Sequence, residues 1–339
     1  MKKVAIVSLM VLGLAFVAFL PVGTAQAQYL PTTGQPFQFA PVYNPALTAM
    51  DPYGDIRLGY RSQLGAFGAN SPSFFNALYQ FRLTQPADPH LNGFRTGASN
   101  DSQDSPRRMG MVHGMGINIF DEQLGMISRK GGGVSYSFHF PVSEKLMLAV
   151  GTSLMVENLR IDADKIYLGA AADTDPIYES ILAGKTNNNQ LNVRAGAVLY
   201  SRMFYVGLSY LPVWKYDLTD GGWLTASSIN KATLQTGVSF DISETVVLKP
   251  SIVGVLSQDN HLNLDYGVKV FVRNMVWAGA MWRDTQTGVA QLGYNINKMF
   301  SAAYSYEIST GEWKFGAGSH ELVLGIRLNN FRNQPSYIW

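Results

Sequence analysis

The sequence has no cysteine and little charge. With no cysteine among its 339 residues, the chain can form neither disulfides nor thiolate metal sites. Charged residues make up 15% of it, whereas a soluble domain usually has about a quarter. The net charge of +2 indicates neither a nucleic-acid partner nor a strongly acidic one. With 12% aromatic residues and 33 glycines, this composition instead suits a barrel with an apolar exterior.

Long apolar runs are also missing after the N-terminus. Lys2 and Lys3, the apolar residues 4–20 and the A-x-A triplet at 25–27 form a secretory signal with cleavage predicted before Gln28. An uncleaved membrane helix is the alternative. No later stretch is apolar for the ~18 residues that a helical span requires. The body of the chain is therefore not a helical membrane protein.

The sequence does contain a series of amphipathic strands after residue 55, of about the length that a tilted strand needs to cross a bilayer. The predicted strands are 55–64, 74–83, 109–120, 132–140, 146–161, 190–200, 203–214, 231–242, 246–257, 261–273, 275–284, 288–297, 299–308 and 319–329. Every second gap between them is short, namely 141–145, 201–202, 243–245, 274 and 298, and several of the others are long, namely 162–189, 215–230 and 309–318. Outer-membrane barrels sort their connections in this way, with the short turns in the periplasm.

Charges fall on one face of these strands. A Lys or Arg in the lipid at mid-bilayer costs ~2–4 kcal/mol, so charges are confined to the lumen. The predicted lumen charges are Arg194, Asp265, Lys269, Arg273, Arg283, Glu307, Glu321 and Arg327. They could line a pore or pair across strands, and their mixed signs favour pairing. Aromatic residues near strand ends, at Tyr60, Tyr79, Tyr200, Trp214, Trp277 and Trp282, suit interfacial girdles and favour a barrel over a soluble sheet.

We therefore predict an all-β chain in the bacterial outer membrane, with membrane lipid around an antiparallel transmembrane barrel of about 14 strands. Its parts are a signal peptide at 1–27, a periplasmic or plug-like leader at 28–54, the barrel at 55–329 and a tail at 330–339. The periplasmic connection 84–108 is unusually long. It is either a disordered insertion or a docking element for a periplasmic partner, carrying Asp101, Asp104, Arg107 and Arg108.

No catalytic constellation is visible. The five histidines are scattered without a metal-ligand spacing, and no Gly-x-Ser-x-Gly motif occurs. We predict a protein that is not an enzyme, with no catalytic residue, cofactor or metal. A diffusion channel or porin for small molecules is one function that such a barrel could have.

Several segments resemble a known family. Asn44-Pro45-Ala46 follows an aromatic-rich leader, residues 136–143 cross a short turn, and Gly318-Ser319-His320-Glu321 opens the last strand. Together they resemble the PorP/SprF family, outer-membrane proteins of the type IX secretion system of Bacteroidota. Leu64 departs from the pattern, because a Trp is expected there.

The resemblance implies a non-enzymatic component of the secretion and gliding machinery. Such a protein supports export or surface attachment of cargo. Its expected partners are periplasmic and outer-membrane components of the machinery and the secreted cargo. The family supplies no catalytic residues. For Ser319, His320 and Glu321 we favour a structural role, because the closing strand must pair in register with the first strand.

Overall fold

The computed structural model describes residues 33–63, 71–83, 111–162, 187–219, 231–257, 262–310 and 318–330. The predicted signal peptide, residues 84–108 and the tail from 331 onward lie outside these ranges. Among the described residues, no helix is long and apolar enough to cross a membrane.

The strands form one antiparallel sheet that closes on itself. They are β1 (Gly54–Ser62), β2 (Ser73–Arg82), β3 (Val112–Leu124), β4 (Ile127–Ser143), β5 (Leu146–Ile161), β6 (Asn187–Tyr200), β7 (Phe204–Asp217), β8 (Lys231–Val238), β9 (Phe240–Asp241), β10 (Val246–Ser257), β11 (Leu262–Val272), β12 (Val276–Arg283), β13 (Thr287–Asn295), β14 (Phe300–Ser309) and β15 (Ser319–Leu328). Because β8 and β9 both pair with β10 on either side of Ser239, they count as one interrupted strand. Pairing of β1 with β15, from Gly54↔Leu328 to Ser62↔His320, closes the ring. The predicted barrel of 14 strands is confirmed.

Each strand is amphipathic because its side chains alternate between the lumen and the lipid. In β15, Glu321 and Val323 are buried inside, whereas Leu322 and Leu324 are 48% and 46% exposed on the outer wall. Cross-strand neighbours repeat this alternation around the ring. Most of the outer wall is therefore apolar, and the charged side chains are kept away from the hydrocarbon.

The two rims of the barrel differ in their connections. The short-turn rim carries the turns 144–145, 201–203, 242–245, 273–275 and 296–299, together with the connection from β2 to β3. The loop rim carries all the other connections. In outer-membrane barrels the short turns face the periplasm, so the loop rim faces the cell surface.

The connection between β3 and β4 is shorter than predicted. The predicted strands 109–120 and 132–140 leave residues 121–131 as a connection, but β3 continues to Leu124 and β4 begins at Ile127. Gly125 makes the tight turn with a positive φ of 59°. The charged side chains of this hairpin alternate between the two faces of the sheet. Glu122 and Arg129 point inward, whereas Asp121 and Lys130 point outward and form an ion pair at 3.0 Å.

The predicted aromatic girdles are partly wrong. Tyr60, Trp214 and Trp282 lie exposed on the outer wall. Tyr200 and Trp277 instead face the lumen, where Trp277 is only 2% exposed. Proximity to a strand end does not determine which face a residue occupies, since one step along the strand reverses it.

Candidate functional site: the plugged lumen

The lumen contains the leader of the chain. Residues 33–53, which we call the plug, form the 3-10 helices Pro36–Phe39 and Pro45–Leu47 on either side of the α-helical turn Ala40–Tyr43. Prolines at the first or second helical position start each turn. Asn44 caps the last turn by accepting a hydrogen bond from the Ala46 amide at 3.0 Å. Nearly all plug side chains are buried, which fills the barrel with compact polypeptide.

The plug runs through the lumen from the loop rim to the short-turn rim. Its first residues contact Glu321, which lies near the loop-rim end of β15. Its later residues contact Arg82, which ends β2 at the short-turn rim. The leader therefore passes through the barrel before the chain turns back into β1.

The loop-rim end of the plug is held by charged residues. The Glu321 carboxylate accepts hydrogen bonds from the Thr33 hydroxyl and the Gly34 amide, and Gln291 Nε2 donates to the Gly34 carbonyl at 2.6 Å. Arg283 donates to the Thr33 carbonyl. Hydrogen bonds to ionised groups are the stronger kind, so this end of the plug is firmly anchored.

The same charged residues pair with one another across strands. Arg283 lies 2.7 Å from Glu307 and 3.2 Å from Asp265. Arg61 of β1 contacts Glu307 at 2.7 Å and Glu321 at 3.6 Å. This network spans β1, β11, β12, β14 and β15, and it includes the seam where the barrel closes.

The middle of the plug lies against glycines of the wall. A Cβ at Gly151 would lie 2.5 Å from the backbone of Pro45 and Ala46, and one at Gly207 would lie 2.8 Å from Asn44 Nδ2. That Nδ2 donates to the Leu208 carbonyl at 3.2 Å. Glycine is needed at Gly151 because two backbones approach closely, and Gly207 leaves room for the Asn44 side chain.

The short-turn end of the plug is bound by polar side chains of β2 and β4. Arg82 donates to the Ala49 and Met50 carbonyls, at 3.1 Å from Nε and 2.5 Å from Nη2. Ser137 Oγ donates to the Thr48 carbonyl at 2.7 Å, and His139 Nε2 lies 3.0 Å from the same oxygen. These contacts satisfy plug carbonyls that would otherwise be buried without a partner.

Ser137 and His139 do not form a hydrolytic triad. His139 Nε2 is 2.9 Å from Ser137 Oγ, but Nδ1 faces the Tyr200 hydroxyl at 2.9 Å rather than a carboxylate. Both side chains are fully buried against the plug. Within the described ranges, no group of three His, Cys, Asp or Glu could hold a metal ion.

A second buried ionic cluster lies on the wall of β3–β6. Arg194 pairs with Glu157, and Arg129 lies 3.6 Å from Glu122 and 3.8 Å from Glu157. Arg129 also sits 4.9 Å from the centre of the Phe120 ring. These charges cross-link four neighbouring strands.

Lys269 has a different environment from the other inward charges. Its ammonium lies 4.6 Å from the centre of the Phe37 ring of the plug and 5.1 Å from the Trp277 ring. Lys249 stands directly opposite on β10 and lies over Phe271. Cation–π contacts stabilise a cation here on a wall lined by aromatic rings.

Seven of the eight predicted lumen charges face inward. Arg194, Asp265, Lys269, Arg283, Glu307, Glu321 and Arg327 all belong to inward-facing positions, and Arg327 donates to Asn295 at 2.8 Å. Arg273 is the exception: it lies exposed in the turn after β11 with φ of 52°. The strand ends at Val272, so the alternation used to place Arg273 no longer applies.

The signature of the closing strand has two faces. Glu321 points inward to the plug, whereas His320 lies outside and its Nδ1 is 2.6 Å from the Tyr304 hydroxyl. Ser319 is buried next to Gly318 at the start of the strand. Asp101, Asp104, Arg107 and Arg108 lie outside the described residues.

The wall residues that bind the plug were missed at the sequence level. Arg82, Gln291, Ser137 and His139 are ordinary inward polar residues in the sequence. Nothing in the sequence distinguishes them from other inward polar residues of the strands.

These features define a plugged outer-membrane β-barrel whose lumen is closed by its own N-terminal leader. Residues 25–326 match the family "Type IX secretion system membrane protein PorP/SprF". The chain belongs to this family, whose members are not enzymes. No curated protein matches the chain.

Solved barrels with similar folds have distant sequences. They include the outer membrane protein Omp33 of Acinetobacter baumannii, with 11% identity, 81% of this chain and 98% of that chain covered, and a TM-score of 0.46. The Pseudomonas putida toluene transporter TodX has 9% identity, coverage of 90% and 94%, and a TM-score of 0.44. The KdgM porin in complex with disordered oligogalacturonate has 10% identity, coverage of 80% and 98%, and a TM-score of 0.37.

Proposed function

We propose that this protein supports type IX secretion and gliding as a plugged barrel that offers contact surfaces, not as a conduit. The observation that carries the proposal is the filled lumen. Asn44, Ala46 and Thr48 of the plug have no exposed surface, and both ends of the plug are bound by charged wall residues. A barrel occupied in this way is suited to assist export or surface attachment of cargo through its rims.

The long connection between β2 and β3 is the proposed contact with periplasmic partners. Its base is pinned at the short-turn rim, where the Leu83 amide donates to the His113 carbonyl at 2.7 Å. Leu83 and Met111, which flank the connection, are both exposed. In our proposal Asp101, Asp104, Arg107 and Arg108 on this connection bind secretion components by charge.

The test is to replace residues 84–108 by a short flexible linker in the native host. Because residues 83 and 113 already pair, the barrel should still close. We expect loss of cargo secretion and loss of periplasmic secretion components from a mild-detergent pull-down. A barrel that remains heat-modifiable on electrophoresis would show that assembly is intact.

The matched control replaces residues 163–186 at the loop rim by the same linker. It removes a connection of similar length from the opposite rim, and it should leave the periplasmic partners bound. Normal secretion and an unchanged pull-down after replacing 84–108 would refute the proposed contact.

The diffusion-channel alternative is tested separately. Pure full-length protein in planar bilayers should give no stable unitary currents, because the plug occupies the lumen. Stable currents from that protein would favour the channel, whatever the pull-down shows.

A further inference from the structure

The outer wall carries a polar surface that includes charged residues. It consists of two rows of outward-facing residues at the loop-rim ends of β3–β6, which we call the polar facet. The pairing of these strands defines the rows as Asp121–Lys130–Asn158–Asn189 and Gln123–Ser128–Arg160–Asn187. Neighbours within a row lie on adjacent strands, so the facet is a continuous patch of sheet.

On the side of the facet that faces the short-turn rim, the wall changes abruptly from polar to apolar. The next row toward the short-turn rim is Ile119–Gly132–Val156–Leu191. Ile119 and Val156 are exposed on the outer wall. Two residues along a strand span about 7 Å, so the facet begins at the level where hydrocarbon contact ends.

The charged residues of the facet lie on β3, β4 and β5. Beyond β3 the second row continues as Ser73, Ser62 and His320. Elsewhere near the loop rim the wall carries apolar residues, as at Leu256, Trp282 and Ile308. β4 and β5 have 17 and 16 residues, compared with 8 in β12 and 9 in β13. The wall of β3–β6 therefore rises beside the lipid headgroups.

The facet is rich in hydrogen-bond donors. Lys130 is 62% exposed and pairs with Asp121, and the exposed Arg160 has no ion-pair partner among the described residues. Asn158 donates to the side-chain oxygens of Asn187 and Asn189. With those oxygens occupied, the amide N–H groups of Asn187 and Asn189 remain as donors.

Exposed aromatic rings stand next to the facet. Trp214 and Tyr216 of β7 stack on each other with their centres 5.9 Å apart. Tyr216 pairs with Leu191, in the row directly below the facet. Cations, amide donors and flat rings together suit a ligand that combines phosphate groups with sugar rings.

We propose that the polar facet binds the phosphorylated sugar headgroup of an outer-leaflet glycolipid. Lys130 and Arg160 contact phosphate, and the amides of Asn187 and Asn189 donate to sugar oxygens. The site is independent of the secretion contact at the opposite rim. The bound glycolipid holds the wall of β3–β6 in the headgroup layer and so sets the orientation of the barrel in the membrane.

The test uses the protein isolated from the outer membrane and placed in phosphatidylcholine nanodiscs. Purified rough lipopolysaccharide is titrated in, and bound glycolipid is counted by native mass spectrometry. The double variant Lys130→Ala and Arg160→Ala should lower the affinity by about tenfold or more, since it removes both charge-assisted contacts. Lys130→Arg, which retains the charge, should bind as wild type does.

The control removes the same charge from the other rim. Lys145→Ala with Arg202→Ala changes two exposed turn residues and should keep the wild-type affinity. Dephosphorylated lipopolysaccharide should bind the wild type more weakly. Equal affinities for the facet and control variants would overturn the proposal, and so would phosphatidylglycerol binding to the facet as tightly as lipopolysaccharide does.

Discussion

Substitution of Glu321 by Gln should loosen the plug and destabilise the closed barrel. Glu321 accepts hydrogen bonds from the Thr33 hydroxyl and the Gly34 amide, and Arg61 lies 3.6 Å away. Its side chain is 3% exposed. The carboxamide keeps the size of the group but removes its charge and replaces one acceptor oxygen with a donor.

The magnitude follows from these contacts. Exchanging two hydrogen bonds to a charged group for neutral ones costs about 1–3 kcal/mol. An amide NH2 facing the Thr33 or Gly34 donor leaves one buried donor unpaired, which costs about 1–3 kcal/mol more. We therefore expect a loss of about 2–6 kcal/mol, while Arg61 keeps its ion pair with Glu307 at 2.7 Å.

The assay is equilibrium unfolding of the refolded barrel by urea in lipid vesicles, followed by tryptophan fluorescence. Trp277 reports on the interior because it packs in the lumen. Limited proteolysis of residues 33–53 gives a second readout, because a loosened plug becomes accessible. Glu144→Gln is the matched control, since Glu144 is exposed in the turn between β4 and β5.

A double-mutant cycle isolates the contact between Thr33 and Glu321, and Thr33→Val alone tests it if Glu321→Gln refolds poorly. Thr33→Val removes only one of the two donors, so it is a milder change. Combined with Glu321→Gln, it should show a coupling energy of about 0.5–3 kcal/mol, as expected for residues in direct contact. If Glu321→Gln unfolds like Glu144→Gln and its plug stays protected, the anchoring role is refuted.

Two further changes address the plug itself. Gly151→Ala places a Cβ 2.5 Å from the backbone of Pro45 and Ala46, so it should cost about 1–3 kcal/mol in urea unfolding and expose the plug to protease. Gly288→Ala, whose nearest neighbour would lie 3.6 Å away, should leave both readouts unchanged, and equal effects of the two would contradict the packing argument. Deleting residues 33–53 should give stable unitary currents in planar bilayers where the full chain gives none. If a correctly folded deletion variant gives no unitary currents, something other than the plug closes the lumen.

The strands were predictable because alternation is a local property. Along β15, Glu321 to Leu328 keep one side chain in and one out, and no tertiary information is needed to read the period. The number of strands followed from the same pattern. Short turns such as that at Asn274 were visible because strand patterns end on both sides of them.

The turn between β3 and β4 was missed because its charges are shared between the two faces. Glu122 and Arg129 satisfy each other inside the lumen, and Asp121 and Lys130 do so outside. Ion pairs of this kind lower the free-energy cost of placing charged side chains within a strand, so a charged segment need not be a loop. Only the partner strand shows that the charges are compensated.

For the leader, the sequence left two positions open, periplasmic or plug-like, for a different reason. Residues 33–53 have neither a strand period nor a long helix, and they are held mainly through backbone groups such as the Thr48 and Gly34 carbonyls. Backbone groups are the same in every residue, so they leave no compositional trace. Asn44, whose side chain both caps a helix and binds the wall, is the residue that carried the most information.

The plug and the closing seam of the barrel share one residue, Glu321. Thr33 and Glu321 are 288 positions apart, so this contact forms only when the last strand is in place. Glu321 also pairs with Arg61 across the β1–β15 seam, so the residue that closes the ring is the one that receives the plug. A barrel with an open lumen would lack acceptors for Thr33 and Gly34 and partners for the carbonyls bound by Arg82 and Ser137. The plug therefore stabilises the barrel at its closing seam, which supports the proposal that the protein acts through its surfaces.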